Sequence, residues 1–165
     1  DADLVQGAHI LLDGSLKHGI YYLESPRDQR PLFAIPWQRH GQDVVMVGTT
    51  ETTFVGDPKD VRPLPEEQQY LLEAYHYYFP SVETRVIDAF AGLRVLPIGS
   101  GGHGARSRDT ILHPDRIHKP RLLTVYGGKL TAYRATAEKV LALLHTSLPQ
   151  RKPVASTRKL PLEPV

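Results

Sequence analysis

The chain has 165 residues, 41% of them hydrophobic, with 20 Lys and Arg against 18 Asp and Glu for a net charge of +2, and no cysteine. This length and apolar content suit one domain or one piece of a larger fold and argue against disorder, while the near-neutral balance argues against general nucleic-acid binding, which wants a basic excess on one face. Without cysteine there is no disulfide scaffold and no thiolate metal site, and no apolar run reaches the roughly 18 residues of a membrane span.

The opening Asp1-Ala2-Asp3-Leu4 lacks Met and shows no signal-peptide pattern, so the chain reads as a fragment of a longer protein. Residues 4–12 alternate and are rich in apolar side chains, which predicts a strand, and residues 19–24, 31–37 and 43–48 predict three more. Turn signals separate them: Asp13-Gly14-Ser15, Ser25-Pro26-Arg27-Asp28 and His40-Gly41-Gln42. Short strands at about ten-residue spacing with polar turns predict an antiparallel sheet. Pro65-Glu66-Glu67 then opens a helix over about 66–79, because Pro suits the first helical position and two carboxylates suit the dipole. Leu71, Leu72, Tyr75, Tyr78 and Phe79 share one face and predict its buried side, and Pro80 ends it. Residues 82–98 return to strand-like sequence.

Residues 99–109 are glycine-rich and basic and read as a loop. Gly99-Ser100-Gly101-Gly102-His103-Gly104 matches the letters of the dinucleotide fingerprint. The next five residues, Ala105-Arg106-Ser107-Arg108-Asp109, have no apolar helical period, so the match reads as a flexible loop and not a pyrophosphate site. Residues 110–112 and 122–126 predict short strands. A last helix over about 129–145 carries Leu130, Tyr133, Ala137, Val140, Leu141 and Leu144 as its expected buried stripe. After Ser147 the chain turns Pro-rich and basic and reads as a linker. The fold class is α+β: an antiparallel or mixed sheet domain with its helix over 1–98, a glycine loop and strand–helix segment over 99–146, and a linker over 147–165.

Gly127-Gly128-Lys129-Leu130-Thr131-Ala132-Tyr133-Arg134 is the most informative stretch. A strand, a glycine turn and a helix start together present free backbone N–H groups to an anion or a polar cofactor edge. Two glycines let the backbone approach a ligand closely. Lys129 adds a charge that the helix dipole disfavours, a local conflict of the kind function imposes.

Seven blocks, in order, resemble the FAD-dependent glycerol-3-phosphate dehydrogenases. They are Leu4-Val5-Gln6-Gly7-Ala8-His9-Ile10, Phe33-Ala34-Ile35-Pro36-Trp37, Gly48-Thr49-Thr50-Glu51, Gly56-Asp57-Pro58, Ala91-Gly92-Leu93-Arg94-Val95-Leu96, Ser107-Arg108-Asp109 and Gly127-Gly128-Lys129-Leu130-Thr131. The resemblance covers about 1–146. It implies a substrate-binding sheet followed by the closing strand and helix of a Rossmann-like FAD domain, whose nucleotide-binding start lies outside these residues. It further implies oxidation of glycerol 3-phosphate to dihydroxyacetone phosphate, with hydride passing to FAD and electrons on to quinone. The electron acceptor, quinone or oxygen, stays open. A cytoplasmic protein with peripheral contact to the inner membrane and a homodimer belong to the same expectation, and this fragment alone is expected to be inactive.

The resemblance assigns roles residue by residue. Arg94 and Arg108 match arginines that face the substrate, and a planar guanidinium suits a phosphate dianion. His9 matches a histidine near the substrate, and imidazole has the pKa for taking a hydroxyl proton near neutrality. Thr50 and Glu51 are expected to line the substrate site. Gly127, Gly128, Lys129, Leu130 and Thr131 are expected to hold the flavin edge, with Lys129 also stabilising the reduced flavin or holding substrate. No histidines have the H-E-x-x-H spacing, so a metal site is not expected. The rival readings are the substrate domain of an FAD-dependent amine or amino-acid oxidase, which would use an Arg for a carboxylate, and a non-catalytic binding module.

Overall fold

A computed structural model describes residues 2–80, 83–98, 109–152 and 154–161. The chain divides into two compact units, Asp1–Arg106 and Ser107–Val165.

The first unit is built on one antiparallel sheet. Its strands are β1 (Ala2–Asp13), β2 (Tyr21–Glu24), β3 (Pro31–Arg39), β4 (Gln42–Gly48), β5 (Thr52–Thr53) and β6 (Val86–Pro97). β1 is central. One of its edges takes β4 along residues 9–13 and then the short β5 at Val5 and Gln6, while β6 runs along the other edge from Ala2 to Leu12. β3 and β2 extend the sheet beyond β4. Between β4 and β5 the chain steps along the β1 edge through Thr49, Thr50 and Glu51. There Thr50 stands in for a ladder residue: its N–H donates to the Ala8 carbonyl (3.3 Å), and its hydroxyl accepts from the Ala8 N–H (2.8 Å).

Strand alternation sorts the side chains of β1 onto two faces. Ile10 and Leu12 point to one side with Leu23, Leu32, Ala34, Val45 and Val47, where Leu71, Ala74 and Tyr75 of helix α1 (Pro65–Tyr78) close a single apolar core. Burying each of the larger aliphatic side chains is worth about 1.5–3 kcal/mol. The helix buries Ala74 where periodicity pointed to Tyr78. Tyr78 lies at the sheet edge, exposed, with its hydroxyl donating to the Glu24 carbonyl (2.9 Å). Phe79 caps the helix and stacks on Tyr75.

Glu67, in the first turn of α1, ties helix to sheet. Its buried carboxylate accepts from the Leu64 N–H (3.0 Å), Thr50 and Thr52 hydroxyls (2.7 and 2.8 Å) and the Gln6 amide (2.6 Å). Burial pushes the Glu67 carboxyl up, and these donors more than offset it, leaving the group below the ordinary carboxylate range.

In the second unit β7 (Thr110–Pro114) and β8 (Leu123–Gly127) form an antiparallel pair. The Asp115 side chain closes their loop by accepting from the Arg121 and Leu122 N–H groups. A short 3-10 turn (Leu130–Ala132) leads into α2 (Tyr133–Leu144). The expected apolar stripe of this helix is not buried within its unit. α2 has no buried residue, Leu130, Tyr133 and Leu141 are largely exposed, and Val140 and Leu144 are only half-covered. A two-stranded ribbon offers too little surface to cover a helix face. The segment after Ser147, read as a linker, returns to α2 through Arg158, whose Nη2 lies 3.0 Å from Glu138.

Candidate functional site

Opposite the apolar core, the sheet carries polar groups in places where side chains would normally pack. His9 on β1 is directly opposed by Gly48 on β4 and by Phe90 on β6. A Cβ on Gly48 would fall onto the His9 ring, so the glycine makes the space the imidazole occupies. Phe90 supplies the other wall, stacking on His9 with ring centroids 5.0 Å apart and planes 7° from parallel. Two residues along, Gly7 opposes Gly92. A Cβ on Gly7 would lie 2.5 Å from Nη2 of Arg94 and 2.6 Å from the Thr49 hydroxyl. The Arg94 side chain, from the pair opposite Val5, therefore runs back across bare strand towards His9.

Gly7, His9, Thr49, Phe90, Gly92 and Arg94 line one depression of about 290 Å³. His9 is half-buried there. Burial first, and the Arg94 charge second, hold its pKa below the ordinary value of 6.5, so the ring is neutral at neutral pH and able to accept a proton.

Arg94 is held by its own neighbours. Nη1 donates to Glu51 Oε1 (2.8 Å) and Nη2 to the Thr50 carbonyl (2.9 Å). These contacts use two of the five guanidinium N–H donors, leaving others for a ligand. The Glu51 side chain is 4% exposed and also accepts from Arg30 Nη1 at 2.9 Å through its second oxygen.

The expected site residues are thus brought together only in part. His9 and Arg94 share one depression. Thr50 does not line it: its hydroxyl is consumed by Ala8 and Glu67, and the neighbouring Thr49 takes the wall position instead. Glu51 does not line it either, but holds Arg94, which does. Arg108, its neighbour Arg106 and the Gly99–Gly104 loop lie outside the described residues. Sequence reasoning did not single out Arg30, Gly7, Gly48, Thr49 or Phe90 as separate site residues. The signal was Gly7 inside an otherwise apolar strand and Gly48 at the end of one, positions where Gly marks close approach.

In the second unit Gly127 and Gly128 adopt φ of 69° and 84°, conformations that L side chains rarely take. A Cβ on Gly128 would also strike the Thr110 hydroxyl, which lies 3.3 Å from that of Thr136 in α2. Lys129 is the exposed residue before the 3-10 turn, and the first N–H groups of a helical segment lack intrahelical partners. Two glycines without side chains and an exposed cation ahead of a helical turn are a donor set that fits the polar edge of a flavin ring.

The family model described as FAD dependent oxidoreductase matches residues 2–140. Glycerol-3-phosphate dehydrogenase of Pseudomonas aeruginosa is 35% identical over 163 residues, covering 96% of this chain and 31% of its own length. D-erythritol 1-phosphate dehydrogenase of Brucella abortus is 33% identical over 150 residues, with 89% and 29% covered. Among solved structures, the glycerol-3-phosphate dehydrogenase from Bacillus halodurans complexed with FAD matches with a TM-score of 0.68 at 30% identity, over 93% of this chain and 29% of that one. The α+β fold is therefore shared, and the chain spans about three tenths of the length of these relatives. With five sixths of its length inside the matching model, the chain belongs to the FAD dependent oxidoreductase family.

Proposed function

We propose that this chain supplies the substrate-gripping sheet and a flavin-edge segment of an enzyme that oxidises glycerol 3-phosphate to dihydroxyacetone phosphate. The observation that carries the reading is the pairing of His9 and Arg94 in one depression, each given its space by a glycine. A proton acceptor beside a permanent cation suits an alcohol that bears a phosphate.

In this mechanism Arg94 binds the substrate phosphate through N–H groups that Glu51 and Thr50 leave over. His9, neutral and fixed in plane by Phe90, takes the proton of the secondary hydroxyl as its C–H bond breaks and the C=O bond forms. FAD, when bound, supplies the hydride acceptor. Gly127, Gly128, Leu130 and Thr131 would hold its ring through backbone groups, with Lys129 balancing negative charge on the reduced ring. Arg108 is proposed as a second phosphate contact from its sequence match alone.

The names of two relatives support the substrate class, since both glycerol 3-phosphate and erythritol 1-phosphate are polyol phosphates. The same naming disfavours an amine or amino-acid substrate. Quinone as the next electron acceptor, peripheral membrane contact and a homodimer extend the proposal. No helix among the described residues is long and apolar enough to cross a membrane.

Arg94→Ala in the full-length flavoprotein tests the reading. Loss of a charge-assisted contact worth about 1.5–3 kcal/mol should lower kcat/KM for glycerol 3-phosphate about ten- to a hundredfold. Flavin content should hold, and glycerol should be an equally poor substrate for both proteins. Loss of flavin, or wild-type kcat/KM, would remove Arg94 from the phosphate site.

A further inference from the structure

Among the described residues Glu51 meets two guanidinium groups, one oxygen with Arg94 at 2.8 Å and the other with Arg30 at 2.9 Å. Both arginine side chains are 29% exposed, and the carboxylate between them is almost fully covered. Arg30 is held in place by the turn that precedes β3. Ser25 N–H donates to the Arg30 carbonyl (2.9 Å), Arg30 N–H donates to Asp28 Oδ1 (3.2 Å), and the Tyr70 hydroxyl donates to the same oxygen (2.8 Å). Burial lowers the Arg30 pKa and the Glu51 contact more than restores it, so its charge is permanent.

From this geometry we infer that Arg30, which does not line the depression, is a positioning residue that sets the anion affinity of Arg94 by competing with it for Glu51. This inference rests on the reading of Arg94 as the phosphate contact. Arg30, Glu51 and Arg94 together carry one positive charge. Without Arg30, more of the carboxylate's charge would fall on the guanidinium that the phosphate needs, and the second oxygen would be free to turn towards it. Arg30 takes half of that carboxylate away, leaving Arg94 cationic yet fixed in direction by one Glu51 oxygen and the Thr50 carbonyl. Asp28 also faces Arg30, at 3.7 Å, but its side chain is 47% exposed and its charge is screened by solvent.

A charge cycle in the full-length flavoprotein tests the inference, read as inhibition by inorganic phosphate against glycerol 3-phosphate together with kcat and KM. Arg30→Gln should raise both the phosphate inhibition constant and KM about tenfold, the worth of one charged contact, with kcat changed less than about threefold. Arg30→Lys, which keeps the charge, should stay within about threefold of wild type. The double variant Arg30→Gln with Glu51→Gln restores a single positive charge and leaves no unpaired carboxylate, so it should recover most of the lost phosphate affinity. A merely structural role for Arg30 predicts the reverse, a double variant weaker than either single one. The inference is overturned if Arg30→Gln leaves phosphate inhibition unchanged, or if the double variant is no better than Arg30→Gln. Arg94→Gln separates the two levels. Unchanged phosphate inhibition there would sink the phosphate reading and this inference with it. Weakened inhibition there alongside an unaffected Arg30→Gln would sink the inference alone.

Discussion

The two faces of the six-stranded sheet are made from alternate residues of the same strands, and they are built on opposite rules. One face is filled: Ile10, Leu12, Val45 and Val47 meet Leu71 and Tyr75 of α1 with branched and aromatic bulk. The other is hollowed out: Gly7 and Gly48 leave bare strand, and Arg94 and His9 lie in the vacated space. A period of two lets β1 send Ile10 and Leu12 into the core against α1 while Gly7 and His9 face the depression on the other side. Substitutions on the filled face should therefore move stability, and those on the hollow face should move kinetics.

The largest expected effect tests the filled face. Leu71→Ala should destabilise the protein by about 2–5 kcal/mol in denaturant unfolding and leave kcat/KM of the remaining folded enzyme near wild type. A comparable kinetic loss would show that the two faces are coupled. On the hollow face, His9→Ala should slow flavin reduction at neutral pH by about a hundredfold, the lower range for a general base, with little change in unfolding midpoint. Reduction rates within about twofold of wild type would remove His9 from proton transfer. Gly48→Ala adds only a methyl group, but one that must displace the His9 ring from its stack on Phe90. Rapid-reaction reduction rates should fall about tenfold, since small misplacements of a reacting group are costly.

Glu67 ties α1 to the sheet, and its depressed pKa gives a pH signature. A carboxylate with a lowered folded-state pKa contributes stability that is present above its unfolded value of about 4.3 and is lost as pH falls through the folded value. Glu67→Gln should flatten that acid-side slope and cost about 2 kcal/mol at pH 7, measured by unfolding across pH. The smallest effect concerns His9. Its pKa is lowered from the usual 6.5, so if His9 takes the substrate proton the acid limb of the flavin-reduction rate should lie below that pH. Arg94→Gln should move the limb partway up, because burial is the larger cause and remains. A limb above 6.5 in wild type would mean that His9 is not the group titrating.

The filled face was legible in the sequence because alternation and turn residues are local. β1 to β4 lie where residues 4–12, 19–24, 31–37 and 43–48 pointed, with ends shifted by a few positions. On the hollow face the sequence pointed to His9 and Arg94, which the fold brings into one depression. Phe90 stacks on His9 through a register between strands some eighty residues apart, which no local pattern encodes. Arg30 follows a polar turn and carries no local signal, and only the fold brings Glu51 to it. Thr49 lines the depression and Thr50 does not, because the step from β4 to β5 turns the Thr50 hydroxyl to Ala8 and Glu67. For α2 the 3.6 period showed which residues share a face but not whether anything in the unit covers them.

The pairing of β1 with β6 has a kinetic side. Ala2 meets Pro97 and His9 meets Phe90, so the longest ladder of the sheet joins its most distant segments. Such non-local pairing forms late, because the entropy of closing a long loop is lost before contacts reward it. β2, β3 and β4 can associate as neighbouring hairpins beforehand. Arg94 and the ring stacked on His9 both arrive with β6, so a nascent sheet already holding its apolar core would still lack the depression they line. Protection of β6 amides from hydrogen exchange would then appear in the same phase as phosphate binding, which makes the last strand to dock the one that switches on the site.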